Sequence, residues 1–184
     1  SYTIDNAIRR SLPIATSVKK IVDLDRCYNI SRIPVDNGKF LCIYDVHLSA
    51  YGSDASVRAG QLEMLFEDMQ ADYAAGNYVI VGGDFNHNLR DGNITDAPDW
   101  AQPFPKDQLP EGFNMAFDIF DDADVANDTC RNSDKPWTGE GSCLTVMVDG
   151  FIISDNIEVS KYQNIEADFK YSDHDPVIMN FILK

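Results

Sequence analysis

The sequence lacks an apolar stretch long enough to cross a membrane, and residues 1–20 lack the basic and then apolar pattern of a signal peptide. No transmembrane segment is therefore predicted, while a cytoplasmic and a secreted location both stay open. Basic residues are also scarce, since 15 lysines and arginines stand against 30 aspartates and glutamates, a formal net charge of -15. Such a surface repels polyanions and disfavours unaided binding of duplex DNA. Clustered carboxylates attract divalent metal ions, so the charge favours metal-assisted chemistry instead.

The four cysteines do not have the spacing of a metal site. Cys42 lies in an apolar run and is expected to be a small buried side chain. Cys130 and Cys143 flank a polar loop; they could pair as a disulfide if the protein is exported, and otherwise they stay free thiols. Internal repeats, low-complexity tracts and linkers are absent, so residues 1–184 are interpreted as a single domain.

The order of secondary structure predicts a layered α/β domain. The turn signal Asp36-Asn37-Gly38 joins two strands as a hairpin, and apolar residues recur at helical spacing over residues 54–75. Residues 88–142 are rich in Pro, Asp, Asn and Gly, and they predict a long loop region with one short helix near residues 113–120. The predicted strands are residues 28–35, 39–46, 78–81, 145–153, 157–162 and 177–183.

Compact polar side chains lie where the apolar strands begin or end. Asp84 and Asn86 follow one strand, and His47 follows the strand before it. Asp173 and His174 come just before the last strand. A buried strand that ends in ionisable groups indicates a cleft at the edge of a sheet, where α/β folds place their chemistry.

Asp149 lies inside an apolar strand, where a carboxylate is costly to bury without a partner. An imidazole is a suitable partner, and Asp149 could fix the tautomer of His174 and raise its basicity. Asp84, Asn86 and Asp173 offer the oxygen ligands that a hard cation such as Mg²⁺ prefers. The residues themselves therefore suggest an acid-oriented histidine base beside a metal ion.

Four segments, in this order along the chain, together resemble the endonuclease/exonuclease/phosphatase superfamily, whose fold is deoxyribonuclease-I-like. They are His47-Leu48-Ser49, Gly83-Asp84-Phe85-Asn86, Asp149-Gly150-Phe151-Ile152 and Ser172-Asp173-His174-Asp175-Pro176-Val177. The resemblance covers the chain from about residue 28 to its end. It implies a four-layer α/β sandwich and Mg²⁺-dependent hydrolysis of phosphodiesters or phosphomonoesters, with Mn²⁺ or Ca²⁺ as alternative metals.

The resemblance also implies a role for each residue of these segments. His174 would activate the attacking water and Asp149 would orient His174. Asp84 and Asn86 would position that water and the phosphate oxygens. His47, like Asn86, would bind substrate, either stabilising the phosphate or assisting the leaving group.

The implied metal ligands are Asp84, Asn86 and Asp173. Family members also begin with strands that carry an Asn and then a Glu, the Glu being the principal metal ligand. Asp5-Asn6 does not match that pattern. The chain is therefore expected to be the C-terminal two-thirds of the domain, truncated at its N-terminus, and to be weak or inactive alone.

Other interpretations stay open. Taken singly, His47 could be an ordinary surface histidine, the Gly-Asp-Asn segment a turn, and Asp149 a bulge residue. The chain could also be a non-catalytic interaction domain that associates through an exposed sheet. The acidic residues between 118 and 128 suggest either a calcium module or a solvated loop. Among substrates, the acidic surface favours a small phosphoester or a lipid headgroup over duplex DNA.

Overall fold

The computed structural model describes residues 3–14, 25–50, 55–92, 94, 98, 101–120 and 125–184. In this part of the chain a single long helix accompanies the strands. The elements are β1 Asn6–Ser11, β2 Cys27–Pro34, β3 Phe40–His47, α1 Ala55–Ala74, β4 Tyr78–Asp84, a 3₁₀ turn Lys106–Gln108, β5 Phe113–Met115, β6 Cys130–Arg131, β7 Thr145–Val146, β8 Asp149–Ser154, β9 Ile157–Asn164 and β10 Val177–Leu183. No helix of the described residues is long and apolar enough to span a membrane.

A six-stranded mixed sheet with the order β1-β2-β3-β4-β8-β5 forms the centre of the domain. The predicted hairpin is confirmed, because β2 and β3 pair antiparallel around the turn at Gly38, whose φ is 76°. Strand β3 then pairs parallel with β4, as a crossover through a helix requires. Strand β3 is therefore internal, as its apolar residues on both faces predicted.

Helix α1 covers one face of this sheet. Its apolar residues at helical spacing are buried, as predicted: Leu62, Leu65 and Met69. Two of its aspartates, one turn apart, accept hydrogen bonds from tyrosines of the sheet. Tyr28 donates to Asp68 at 2.6 Å, and Tyr44 donates to Asp72 at 2.7 Å. The helix is therefore fixed in register by polar contacts as well as by its apolar stripe.

The other face of the sheet carries a second, two-stranded sheet of β9 and β10. The strand register places Ile152 on the same face as Tyr44, so Phe151 points to the opposite face. Tyr162 of β9 packs on Phe151 with ring centroids 6.2 Å apart. Helix, central sheet and second sheet are thus three layers of the expected α/β sandwich, seen within the described residues.

The structure corrects two predicted elements. The short helix near residues 113–120 is wrong: Phe113 and Met115 point inward from a strand that pairs with β8, and turns follow it. The strand at residues 145–153 is interrupted, since β7 ends at Val146 and β8 begins at Asp149. Strand β1 was not predicted, because its residues are mostly polar and do not alternate between apolar and polar. Its conformation depends on pairing with β2.

The four cysteines are all free thiols. Cys42 is fully buried, as predicted for a small apolar side chain. Cys130 is also buried and Cys143 is partly exposed, so the disulfide considered for this pair is not formed.

Candidate active site

Three of the expected site residues form a row across three adjacent strands of the central sheet, at the same end of these strands. His47 ends β3, Asp84 ends β4, and Asp149 begins β8. The strand register pairs His47 with Asp84 and Asp84 with Asp149. Because β3 and β4 are parallel and β8 is antiparallel to β4, two strand ends and one strand start meet at the same edge.

His174 joins this row from the loop before β10. Its Nδ1 lies 2.8 Å from Asp149 Oδ2, and its Nε2 lies 4.0 Å from Asp84 Oδ2. His47 approaches the same carboxylate from the other side, with Nε2 3.4 Å from Asp84 Oδ2. Two imidazoles therefore flank one carboxylate, and a second carboxylate orients one of them.

Asn86 closes a tight turn after Asp84. Its backbone N–H donates to Asp84 Oδ1 at 2.8 Å, while its Nδ2 donates to Leu48 O at 2.8 Å and to Asp84 Oδ2 at 3.0 Å. Asn86 has φ 48°, a left-handed conformation that Asn tolerates better than most residues. The turn fixes the Asp84 carboxylate and leaves the Asn86 side-chain oxygen without a hydrogen bond from any described residue.

Two glycines allow the strand end to approach its neighbours. A Cβ on Gly82 would lie 2.7 Å from the ring of Phe151, and a Cβ on Gly83 would lie 2.1 Å from Val46 O. Gly83 also has φ 138°, in the region that favours glycine. The pair of glycines before Asp84 is therefore a packing requirement of the site.

The pKa values of three site residues are shifted from those of the free side chains. The hydrogen bond from His174 to Asp149 raises the pKa of His174 to about 11. Burial, and then the charge of Asp149, raises the pKa of Asp84 to about 6. Burial, followed by the nearby charges of Arg26 and His174, lowers the pKa of His47. Near neutral pH the site thus combines an imidazolium at 174 with a neutral imidazole at 47.

A cavity of about 340 Å³ opens beside the row of site residues. It is lined on one side by Asp149 and Gly150 and on the other by His174 and Pro176. A larger cavity of about 500 Å³ lies at the opposite end of β4, beside Asn37, Tyr78 and Lys184. We assign the chemistry to the side of the smaller cavity, because the Asp149–His174 pair lines it.

The sequence model described as endonuclease/exonuclease/phosphatase family 2 matches residues 14–180. The chain belongs to the endonuclease/exonuclease/phosphatase family. The resemblance inferred from the four short segments is thereby confirmed. No curated protein matches the sequence.

Solved structures of this family share the fold. The human Nocturnin catalytic domain with bound sulfate has a TM-score of 0.65 at 18% identity, and 100% of this chain covers 60% of that domain. A mannosyl-6-phosphatase of Bacteroides thetaiotaomicron has a TM-score of 0.66 at 16% identity, with coverages of 99% and 67%. D. rerio TDP2 complexed with single-strand DNA product has a TM-score of 0.64 at 17% identity, with coverages of 95% and 67%. The chain thus spans about 60% of the length of the Nocturnin domain.

The family implies a divalent metal ion, and the residues present fit a loosely held one. The charge of Asp84 is opposed by burial and by Asp149, and the Asn86 side-chain oxygen accepts no hydrogen bond from a described residue. Mg²⁺ commonly binds through one or two carboxylates, several waters and substrate phosphate oxygens. Asp173 directly precedes His174, and its carboxylate accepts a hydrogen bond from Ser172 Oγ at 3.4 Å. Within the described residues, no group of three His, Cys, Asp or Glu could hold a metal ion.

Arg26 is a neighbour of the site that the sequence motifs did not indicate. Its charge lowers the pKa of both His47 and Asp84, and its buried Nε has no hydrogen-bond partner among the described residues. The hairpin contained a signal for it. Arg26 directly precedes β2, and the start of β2 pairs with the end of β3, where His47 lies.

The acidic residues near 118–128 do not form a cation site in the part of the chain that the structure describes. Asp118 accepts a hydrogen bond from Lys106 at 3.2 Å. Asp128 lies 3.3 Å from Arg90. Asp121, Asp122 and Asp124 lie outside the described residues. The two described acids neutralise basic side chains, as expected for a solvated acidic loop.

Proposed function

We propose that this chain carries the hydrolytic centre of a metal-dependent phosphoesterase that cleaves phosphomonoesters or phosphodiesters. The observation that carries the proposal is the His174–Asp149 pair, 2.8 Å apart, whose free ring nitrogen faces Asp84 at 4.0 Å. A nitrogen oriented by a half-buried carboxylate and facing a second carboxylate beside a cavity is the arrangement of a general base. Membership of the endonuclease/exonuclease/phosphatase family supports phosphoester chemistry for that base.

In this mechanism His174 Nε2 takes a proton from the attacking water while its Nδ1–H donates to Asp149. The water oxygen then bonds to phosphorus, and the P–O bond to the leaving group breaks. Asp84 and Asn86 hold the water and the phosphate oxygens in line. His47, with 58% of its side chain exposed, donates a hydrogen bond to a phosphate oxygen or to the departing oxygen, which takes its proton from water. Asp149 stabilises the imidazolium that forms at His174.

The pH dependence of turnover tests the role of His174. A base must be neutral before it accepts a proton, and the pKa of His174 is raised to about 11 by its bond to Asp149. Below that pKa, the neutral fraction grows about tenfold for each pH unit. We expect the rate of phosphodiester hydrolysis to rise from neutral to alkaline pH. A rate that instead falls over this range would assign His174 the role of an acid.

A divalent cation, Mg²⁺ in the first place and Mn²⁺ or Ca²⁺ as alternatives, would be held by Asp84 and Asn86, with Asp173 as a further ligand. When bound, it would neutralise charge on the phosphate oxygens. Because no three-acid cluster lies in the described residues, we expect weak affinity and slow turnover by this chain alone. Titrating the chain with each metal after treatment with EDTA measures both quantities. Turnover that is unchanged by EDTA would exclude the metal.

The substrate class that we propose is a small phosphoester or a phosphorylated lipid headgroup. The net charge of -15 opposes the approach of a DNA duplex. The named relatives include both a mannosyl-6-phosphatase and a protein complexed with single-strand DNA product, so both kinds of substrate belong in the test. Rates on p-nitrophenyl phosphate, bis(p-nitrophenyl) phosphate, a lipid headgroup ester and duplex DNA should rank the small esters first. Preferred cleavage of duplex DNA would overturn this substrate class.

Arg26 is proposed to bind the phosphate of the substrate. Arg26→Gln should raise KM several-fold with little change in kcat, because a cation that holds phosphate in both the ground and transition states contributes uniform binding. Arg9→Gln is the control, since Arg9 is exposed and its one hydrogen bond to a described residue goes to Ser11. An equal KM for both variants would show that Arg26 does not bind the substrate phosphate.

A second candidate function is an interaction domain, and the free edge of β10 favours it. Among the described strands, β10 pairs only with β9. Its residues Ile178 and Ile182 are 39% and 56% exposed, and the strand carries no charge. An uncharged, apolar edge strand can pair with another chain. Light scattering on the chain, with Ile182→Lys as the blocked variant, tests this function. A monomer at high concentration would exclude self-association.

A further inference from the structure

The carboxylate that orients His174 lies at a break in a strand. Strand β7 ends at Val146 and β8 begins at Asp149, so two backbone N–H groups at the break have no partner in a strand ladder. One side chain accepts hydrogen bonds from both N–H groups. Thr129 Oγ1 accepts from Val148 N–H at 3.0 Å and from Asp149 N–H at 2.9 Å. Thr129 is completely buried, so water does not compete for these bonds.

The backbone around Thr129 also holds the loop that carries His174. Asp175 N–H donates to Thr129 O at 2.8 Å, and Arg131 N–H donates to Asp173 O at 2.9 Å. These two bonds lie on either side of His174 in the sequence. The segment of residues 129–131 is therefore bonded to the His174 loop by its main chain and to the Asp149 strand by one hydroxyl.

A substitution at position 129 can remove this hydroxyl and leave the main-chain hydrogen bonds in place. Without it, two buried N–H groups would lose their acceptor, and the backbone at Asp149 would have to move to find another. A shift of about 1 Å at a catalytic group is enough to lower a rate by roughly a hundredfold. The orientation of His174 thus depends on the acceptor at position 129.

We propose that Thr129 is a positioning residue of the hydrolytic centre: its hydroxyl fixes the backbone of Asp149 so that the carboxylate meets His174 Nδ1. The proposal rests on the proposed function for the role of the pair, although the hydrogen bond that it predicts can be observed without turnover.

The test compares Thr129→Val with Thr145→Val. Valine has the shape of threonine but no acceptor, and Thr145 lies on the adjoining strand β7 with its hydroxyl donating to Asp128. The first readout is the low-field proton NMR signal of His174 Nδ1–H, assigned by its loss in His174→Gln. We expect this signal to disappear or move in Thr129→Val and to stay in Thr145→Val. An unchanged signal in a folded Thr129→Val chain would overturn the proposal.

The second readout is turnover on the preferred phosphoester. Thr129→Val should lower kcat by about 10-fold to 100-fold with KM within about twofold, while Thr129→Ser, which keeps the acceptor, should restore most of kcat. In the Asp149→Asn background the same change should have no further effect, because the residue acts through Asp149. If Thr129→Val does not fold, Thr129→Ala is measured against Thr129→Ser in the same two ways.

The outcomes separate the two proposals. An active enzyme whose kcat and Nδ1–H signal are untouched by Thr129→Val would reject the positioning role and leave the hydrolase function in place. Hydrolysis that is unaffected by His174→Gln, in a chain whose signal is still lost only in Thr129→Val, would reject the function and keep the positioning role. Equal loss of the signal in Thr145→Val would reduce the effect to general destabilisation and reject the proposal.

Discussion

Replacing Asp84 by Asn should change the stability of the fold in a pH-dependent way. Asp84 has only 13% of its side chain exposed, and burial together with the charge of Asp149 raises its pKa from 3.8 to about 6. A carboxyl group whose pKa is raised on folding binds its proton more tightly in the folded state. Its contribution to stability is therefore complete below the unfolded pKa of 3.8 and is lost as the pH rises through about 6.

The size of the effect follows from this shift. A difference of about two pKa units corresponds to roughly 3 kcal/mol between the protonated and ionised states. Asn cannot ionise, and it keeps a side-chain oxygen to accept the N–H of Asn86. Its amide nitrogen replaces the oxygen that accepts from Asn86 Nδ2, a loss of about 1 kcal/mol at any pH. That loss cancels when the same variant is compared at two pH values.

Urea unfolding near pH 4 and near pH 8, with EDTA present, measures the difference. Relative to the unaltered chain, we expect Asp84→Asn to gain about 2.5 kcal/mol in free energy of unfolding on going from the acidic to the alkaline condition, because the unfolded carboxyl is already partly ionised at pH 4. Asp45→Asn is the matched control, because Asp45 is exposed on the neighbouring strand β3. Parallel pH profiles for Asp84→Asn and the unaltered chain would refute the assignment of a buried, charge-crowded carboxylate at the site.

Two further substitutions test the packing that supports the site. Asp72→Ala should lower the free energy of unfolding by about 3 to 5 kcal/mol, because Arg32, at 2.8 Å, and Tyr44, at 2.7 Å, would lose their common acceptor. Gly83→Ala should cost about 3 kcal/mol or more, since its Cβ would lie 2.1 Å from Val46 O at a φ of 138°. Urea denaturation measures both changes.

Each of these substitutions has a control in the chain. Glu67→Ala removes an exposed acid from the same helix as Asp72 and should change stability by less than about 0.5 kcal/mol. Gly92→Ala places a Cβ at a φ of 101° with no atom within 4 Å, so it reports backbone strain without the clash. Equal losses at Gly92 and Gly83 would show that the close approach to β3 is not what requires glycine. A small loss for Asp72→Ala would show that its ion pair is dispensable.

Elements whose conformation depends on local pattern could be predicted from the sequence. The turn at Asp36-Asn37-Gly38, the apolar stripe of α1 and the apolar run before Asp84 each carry their own signal. The nearness of Asp149 to His174 followed from a different argument, since a carboxylate in an apolar strand requires a partner. The roles of these two residues stay proposals, to be tested by the assays above.

Features that depend on segments distant in the sequence could not be predicted from local patterns. The strand at Phe113–Met115 is only three residues long and exists because β8 offers it an edge. At the break before Asp149, the backbone N–H donates to the hydroxyl of Thr129, twenty residues earlier in the chain. Arg26 reaches the site because the hairpin register brings the start of β2 beside His47. The first two have no local pattern of their own, so tertiary pairing decided them, whereas the position of Arg26 follows from the register of the predicted hairpin.

The central claim is that His174 and Asp149 together activate water for phosphoester hydrolysis. The most direct measurement is the initial rate on the preferred phosphoester for His174→Gln and Asp149→Asn, with Asp155→Asn, an exposed acid just after β8, as the control. The account predicts that both site variants lose at least about 100-fold in rate while the control keeps the rate of the unaltered chain. Hydrolysis by His174→Gln at the unaltered rate would contradict it.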